Sequence, residues 1–478
     1  MSNEKDTSSD PTSEETGGKR SDKGRKLDES SGITTSRVGR FLKTGWAARH
    51  AIPMAFKRTA DLLAADKKDR GDVAEKLLQE QEVIAEELFQ TLGNLKGVVQ
   101  KFGQLASYLE GVLPPELAPV YQRVLSRLQD AAPALPPLAT QEVIEEELDC
   151  LIEDVFPEFE EQPFAAASVG QVHRAWLADG TPVAVKVQYP DIDKAFASDL
   201  KNIKMMEMMF APVIRYYRGR DVLDTLRQQL MDELDYVREA KMQEAFRRSF
   251  EGHPTIHIPK VFTEFSTGKL LVTEFVEGIS FRELEEADDE TRHTAGKTVA
   301  RYYMDSLFVH HLVNVDPHPG NYVFHKDGKV SFLDFGAAVP VDAKGSRELG
   351  EFIRAHTDGD RDTFRAGIHD IFGVPNEDPV LVEAYEAMIA YYLQPFSGDL
   401  QPFQFSTGWI ESCVEESMSR SKDILLRGGR IPKLPPPPTH INPDLPVVYR
   451  VAVGLGSLLA RLRVAIDWPE LLKESLTS

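Results

Sequence analysis

The spacing of apolar positions changes character three times along this chain. From Asp72 to Tyr108 apolar residues recur at helical spacing (Val73, Leu77, Val83, Ile84, Leu88, Leu92, Leu95, Val98, Leu105), which predicts an amphipathic helix. Gly93, Gly97 and Gly103 lie inside it. Each costs roughly 1 kcal/mol against Ala in a helix, a cost that makes sense where another backbone comes close. Leu113-Pro-Pro-Glu ends this helix, 117–130 starts another, and the prolines between Ala132 and Pro137 mark a linker. Residues 141–155 read as a short helix. Strand patterns follow. Val183-Ala184-Val185-Lys186-Val187 comes after a turn at Asp179-Gly180, and Lys269 to Val276 reads as a buried strand. Tyr322-Val-Phe and Val330-Ser-Phe-Leu333 flank Lys326-Asp-Gly as a hairpin. Helical periodicity returns over 192–247, Thr291–Leu312 and 346–428. Val447–Trp468 is apolar but broken by Arg450, Arg461, Arg463 and Asp467, which predicts an amphipathic helix on the body. The fold class is therefore α+β, with strands gathered between helical regions.

Chemistry is concentrated between residues 310 and 336. Asp316 is followed five positions later by Asn321, and thirteen positions after that comes Asp334 of Asp334-Phe335-Gly336. Kinase-type phosphotransfer sites use this order: a catalytic-loop Asp, an Asn on magnesium, and a DFG Asp on the metal that bridges the phosphates. Asp316 and Lys186 are the catalytic candidates, and Asn321 and Asp334 the metal ligands. The hairpin pattern puts Asn321 and Asp334 at adjacent strand ends, where one ion can be held by both. The phosphate-loop candidate is Ala165-Ala166-Ala167-Ser168-Val169-Gly170, running on to Val172. Against a G-x-G-x-x-G-x-V loop, Ala165 and Ala167 replace two glycines, Gly170 keeps the third and Val172 falls on the Val. Ala does not enter positive φ as Gly does, so this cover is expected to be stiffer. Lys186, with Ala184 on the same strand, is the phosphate lysine. Its helical carboxylate comes from Glu233, Asp235 or Glu239; Asp235 and Glu239 are one turn apart on one helical face. Glu274 and Val276 offer hinge backbone groups to an adenine edge.

Composition limits the alternatives. The 478 residues suit two or three lobes. Acidic residues exceed basic ones, 76 against 55, for a net charge of −21, which argues against nucleic acid as a partner. Only Cys150 and Cys413 occur, consistent with a reducing compartment. Residues 1–37 are polar and lack an apolar core, the composition of a disordered tail rather than a signal peptide. Val38–Arg58 interleaves basic and apolar residues. It reads as a first helix packing on the body, or as a membrane-surface contact. With no apolar run of spanning length, the expected location is cytoplasmic, with at most peripheral membrane contact. Asp358-Gly-Asp360-Arg-Asp362 lacks the calcium-loop Gly and distal Glu, so a helix start is expected there.

With these pieces assembled, the chain resembles the UbiB/AarF family of atypical, protein-kinase-like proteins over roughly residues 75–465. Lys101-Phe-Gly103-Gln104 on the upstream helix carries the likeness, with the alanine-rich loop, Glu233-x-Asp235, Asp316 to Asn321 and Asp334-Phe-Gly. The resemblance implies a two-lobe kinase-like fold with an N-terminal helical extension (38–140) folded across the place of a protein substrate. An N-lobe over 141–276, a C-lobe over 277–430 and a Pro-rich tether with a C-terminal helix over 431–478 would follow. It implies ATP (or ADP) and Mg²⁺ as ligands, Glu239 as the partner of Lys186, and Lys101 near Glu233 and Asp235. It also implies a role in quinone or isoprenoid-lipid metabolism, with such a lipid or a lipid enzyme as partner. In place of H-R-D the chain has Asn314-Val315-Asp316, so an activation-loop phosphate has lost its usual arginine. A phosphotransferase of the aminoglycoside or choline kinase sort, and a nucleotide-gated scaffold, remain alternatives. If the extension restrains the site, Lys101→His and Ala167→Gly should each raise autophosphorylation. Labelled-phosphate incorporation equal to the parent in both variants would remove the inhibitory reading.

Overall fold

The computed structural model describes residues 137–167, 169–192, 231–232, 234–375, 378–427, 442 and 444–477. The expectations for the tail, the extension with Lys101, Gly103 and Gln104, most of 192–230, Ser168, Glu233 and the proline run lie outside these residues.

Helices α1 (Pro137–Leu148) and α2 (Ile152–Val155) lead in. The single helix expected over 141–155 is divided because Asp149 takes a left-handed backbone, φ 53°. Strands β1 (Glu158–Phe159), β2 (Ala165–Ala166), β3 (Gly170–Trp176) and β4 (Pro182–Gln188) follow. Helix α3 (Tyr236–Ser249) and strands β5 (Ile256–His257) and β6 (Leu270–Glu274) come next. An antiparallel sheet runs β1-β3-β4-β6, with β2 on β3. The Asp179-Gly180 turn joins β3 to β4 as expected, with Gly180 at φ 82°. Along β4 the side chains alternate. Val183, Val185 and Val187 are fully buried against Ile144, Phe156, Leu270 and Val272. Ala184 and Lys186 consequently share the opposite face.

The second body begins with α4 (Phe281–Glu285) and α5 (Asp289–Phe308). The helix expected to reach Leu312 stops at Phe308. His311 turns to φ 51°, and β7 (Leu312–Asn314) is drawn into a two-stranded ladder. Strands β8 (Tyr322–Phe324) and β9 (Val330–Phe332) form the expected hairpin, and β10 (Ala338–Pro340) pairs antiparallel with β7. β5 pairs parallel with β9, so a strand placed between α3 and β6 in sequence ties the two bodies together. Helices α6 (Ala343–Asp358), α7 (Arg361–Phe372) and α8 (Pro379–Tyr392) follow. Asp360 caps α7 through the Thr363 N–H, the helix start expected there.

The chain ends with β11 (Phe403–Gln404), α9 (Trp409–Arg427), α10 (Leu445–Leu462), β12 (Ala465–Ile466) and α11 (Trp468–Thr477). The amphipathic segment predicted over Val447–Trp468 is thus cut at Arg463, which takes a left-handed backbone at the end of α10. By length and composition α10 suffices to cross a membrane. In this fold it buries Val451, Leu455, Leu458 and Leu459 in the larger core. That core continues through α3 and the hairpin: Phe246 meets Phe335 at 4.9 Å, and Tyr302 stacks on Phe332 at 3.7 Å between ring centres. Phe335 is fully buried, which fixes Asp334 beside it.

Candidate active site

Lys186 stands where the two bodies meet. It projects from β4 toward α3, and its Nζ lies 2.8 and 3.0 Å from the two carboxylate oxygens of Glu239. Asp334 Oδ2 is 3.6 Å away, and the Tyr236 ring centre is at 4.9 Å. Glu239 is 2% exposed, so its charge depends on the lysine. Burial alone would lower the Lys186 ammonium, but the carboxylates of Asp334 and Glu239 outweigh it and hold Lys186 well above its ordinary range. Burial pushes the Glu239 carboxyl up, and Lys186 opposes that rise. Breaking such a pair from one side strands a buried charge.

Of the carboxylates proposed for this lysine, the structure brings in Glu239 and sets Asp235 apart. Asp235 is not on a helical face. It is the N-cap of α3 and accepts the Arg238 N–H at 3.0 Å. Capping preference for Asp outweighs the helical spacing that suggested a shared face. Arg238, a residue the sequence reading passed over, donates to the carbonyl oxygens of Gly336 and Ala338 at 2.9 and 2.7 Å. One helix therefore holds both the lysine and the segment after Asp-Phe-Gly.

Asp316, Asn321 and Asp334 are assembled by the β8–β9 hairpin and the β7–β10 ladder. The Leu333 N–H donates to the Asn321 carbonyl at 2.9 Å, which puts Asn321 and Asp334 at adjacent strand ends, as the pattern predicted. Asn321 Nδ2 donates to the Asp316 carbonyl (3.2 Å) and to Asp316 Oδ2 (3.1 Å). Its amide oxygen is the atom left for a ligand. Asp334 Oδ1 accepts the Gly336 N–H at 2.9 Å. Asn314, which replaces the usual histidine, is 1% exposed. It donates to the Asp334 carbonyl at 2.6 Å and accepts the Asp316 N–H at 3.1 Å. It thus joins the two loops, a role its position beside Asp316 could have suggested. The oxygens of Asp334 and Asn321 suit a divalent ion of the magnesium kind, which takes few protein ligands and completes its shell with phosphate and water. Among the described residues no group of three or more His, Cys, Asp or Glu forms a dedicated metal cage.

The register of the sheet sets Ala165 opposite Val172 and Val172 opposite Lys186. Ala165 and Ala166 pair with Val172 and Gln171, and Ala167 and Gly170 exchange backbone bonds of 2.9 and 3.4 Å around a tight turn. Val169 is turned inward, 1% exposed, against Tyr189, Ile192 and Tyr236. Its carbonyl accepts the Tyr189 N–H. A Cβ on Gly170 would lie 2.1 Å from the Val187 carbonyl oxygen, so this glycine serves the close approach of β4. At the hinge, the Glu274 N–H already donates to the Lys260 carbonyl at 2.8 Å. Val276 lies in the connection between the Phe275 N–H, bonded to the Pro182 carbonyl, and Ile279, paired with Phe324.

A five-stranded antiparallel sheet with a lysine–helix carboxylate pair, joined to a helical body that carries Asp316, Asn321 and Asp334, defines a protein-kinase-like fold. Residues 127–366, half of the chain, match the ABC1 atypical kinase-like domain. The chain belongs to this family of atypical kinases, in agreement with the UbiB/AarF resemblance. It is 29% identical over 396 residues to "Atypical kinase COQ8B, mitochondrial" of Rattus norvegicus, covering 82% of this chain and 72% of that protein. It is 26% identical over 451 residues to "Atypical kinase COQ8, mitochondrial" of Saccharomyces cerevisiae, covering 93% and 86%. A solved structure of Rv3197 in complex with erythromycin, from Mycobacterium tuberculosis, is 28% identical with a TM-score of 0.58. That likeness covers 84% of this chain and 99% of the other.

Because Glu239 neutralises a buried lysine, Glu239→Gln should lower unfolding free energy by about 3 kcal/mol in urea titration. Lys186→Met with Glu239→Leu should recover most of the loss. Parent-like stability of Glu239→Gln would contradict the pair.

Proposed function

We propose that the chain is an atypical kinase-type enzyme that binds Mg²⁺ with ATP (or ADP). It hydrolyses ATP or transfers its terminal phosphoryl group to a small acceptor in quinone or isoprenoid-lipid metabolism. The observation that carries this reading is the joint assembly of Lys186–Glu239–Asp334 and Asp316–Asn321 on one face. An isolated fragment of that set would be charge decoration; together they leave few other uses.

Lys186, kept charged and aimed by Glu239, orients the nucleotide phosphates. Asp334 and Asn321 would hold Mg²⁺, which neutralises phosphate charge when bound. Asp316, fixed by Asn314 and Asn321, positions the attacking water or hydroxyl and receives its proton, while the bond to the leaving diphosphate breaks. Positioning and charge stabilisation supply most of such catalysis. The names of the relatives support kinase-type chemistry. A lipid or lipid-enzyme partner, and peripheral membrane contact, follow from the family resemblance. A second reading, phosphoryl transfer to a small hydroxylated acceptor as in aminoglycoside or choline kinases, is favoured by the Asp316-Pro-His-Pro-Gly-Asn321 loop. The erythromycin complex of the solved relative shows a protein of this shape with a small-molecule ligand.

The test pairs ATP turnover by the purified chain with metabolite profiling of a deletion strain. Mg²⁺-dependent ADP release that falls at least about a hundredfold in Asp316→Asn is expected, with altered quinones or isoprenoid lipids in the strain. Parent-like turnover in Asp316→Asn would contradict the catalytic assignment, and unchanged lipids would remove the pathway.

A further inference from the structure

Helix α10 lies more than a hundred residues beyond Asp316 in sequence, yet it is seated on the loop that carries it. Two contacts define the seat. Gly454 approaches Pro317 so closely that a Cβ would come within 2.2 Å of the proline Cγ. One and a bit turns earlier, Arg450 Nη2 lies 3.8 Å from Asp316 Oδ1. Both side chains are about four-fifths buried, 19% and 20% exposed. Positions 450 and 454 are four apart, so they share one helical face.

The loop itself carries no such charge. Between Asp316 and Asn321 stand Pro317, His318, Pro319 and Gly320, with no Lys or Arg. Asp316 is instead held from two sides. Its Oδ2 accepts from Asn321 Nδ2 at 3.1 Å, and its Oδ1 faces the guanidinium. The Asn321 bond holds one oxygen, and the guanidinium charge 3.8 Å from the other biases the carboxylate's orientation about χ2 by electrostatic attraction. Burial holds the Arg450 guanidinium down at about 10, and it keeps its charge at neutral pH. An arginine in an apolar helix, shielded from water, is a costly placement unless a carboxylate compensates it.

We propose that Arg450 is a positioning residue for Asp316, and that α10 forms part of the catalytic apparatus by delivering this guanidinium to the loop. The inference rests on Asp316 as the residue that places the attacking oxygen. Arg450 acts through the carboxylate, setting its rotamer and compensating its charge.

The experiment uses the full chain as parent, Arg450→Met, Arg450→Lys, Asp316→Asn and the double variant Arg450→Met with Asp316→Asn. Mg²⁺-dependent ATP turnover should fall at least about tenfold in Arg450→Met, toward the hundredfold that a small misplacement of a reacting group costs. The loss should appear in kcat with KM for ATP little changed. Arg450→Lys, which keeps the charge, should recover part of it. In the Asp316→Asn background Arg450→Met should add nothing. Hydrogen exchange across residues 312–321 reads the restraint without turnover, and should quicken several-fold in Arg450→Met but not in Arg450→Lys. Parent-like turnover and exchange in Arg450→Met would overturn the proposal, as would an equal loss in both backgrounds, which would make Arg450 act independently of Asp316. If the parent shows no turnover, the functional reading fails, and loop exchange alone decides whether Arg450 restrains Asp316.

Discussion

The Lys186–Glu239 pair is the constraint on which the site depends. A buried carboxylate and a nearly buried ammonium hold β4 to α3 at 2.8 Å, and neither tolerates loss of the other. Asp334 approaches the same ammonium at 3.6 Å, so the pair also draws the second body toward the first. Arg238 reinforces this by gripping the carbonyls beyond Gly336 from the residue adjacent to Glu239. A regulated kinase moves its helix carboxylate and its Asp-Phe-Gly segment separately. In this chain two neighbouring side chains of α3 fasten both, without the arginine that would read an activation-loop phosphate.

Much of this geometry was legible because it is local or follows from period. Strand alternation puts Lys186 opposite three buried valines, and the hairpin pattern puts Asn321 beside Asp334. Both arrangements follow from pleating and turn chemistry. Element ends were less legible. Asp149 and Arg463 leave the ordinary backbone regions at the ends of their helices, and His311 does so in the turn between Phe308 and β7, although none is the Gly that usually announces such a bend. Asp235 shows a competition between two valid rules, helical spacing and capping, settled by where the helix begins.

What the sequence concealed was long-range. Gly170 looks like a phosphate-loop glycine, but the Val187 carbonyl beside it gives it a packing reason as well. Arg450 reads only as a blemish in an apolar helix until α10 is placed on the Asp316 loop. Asn314 stands in a position with a familiar neighbour and supports both loops through one amide. Each of these depends on a partner distant in sequence, and no local pattern identifies that partner.

Under the proposed function, Asp334 turns the lysine-anchored cluster into a metal-dependent nucleotide site. Calorimetric titration of ADP into the parent and Asp334→Asn, with and without Mg²⁺, tests this. Mg²⁺-dependent binding is expected in the parent, and its abolition in Asp334→Asn. Unchanged affinity in the variant, with Mg²⁺ present, would contradict it.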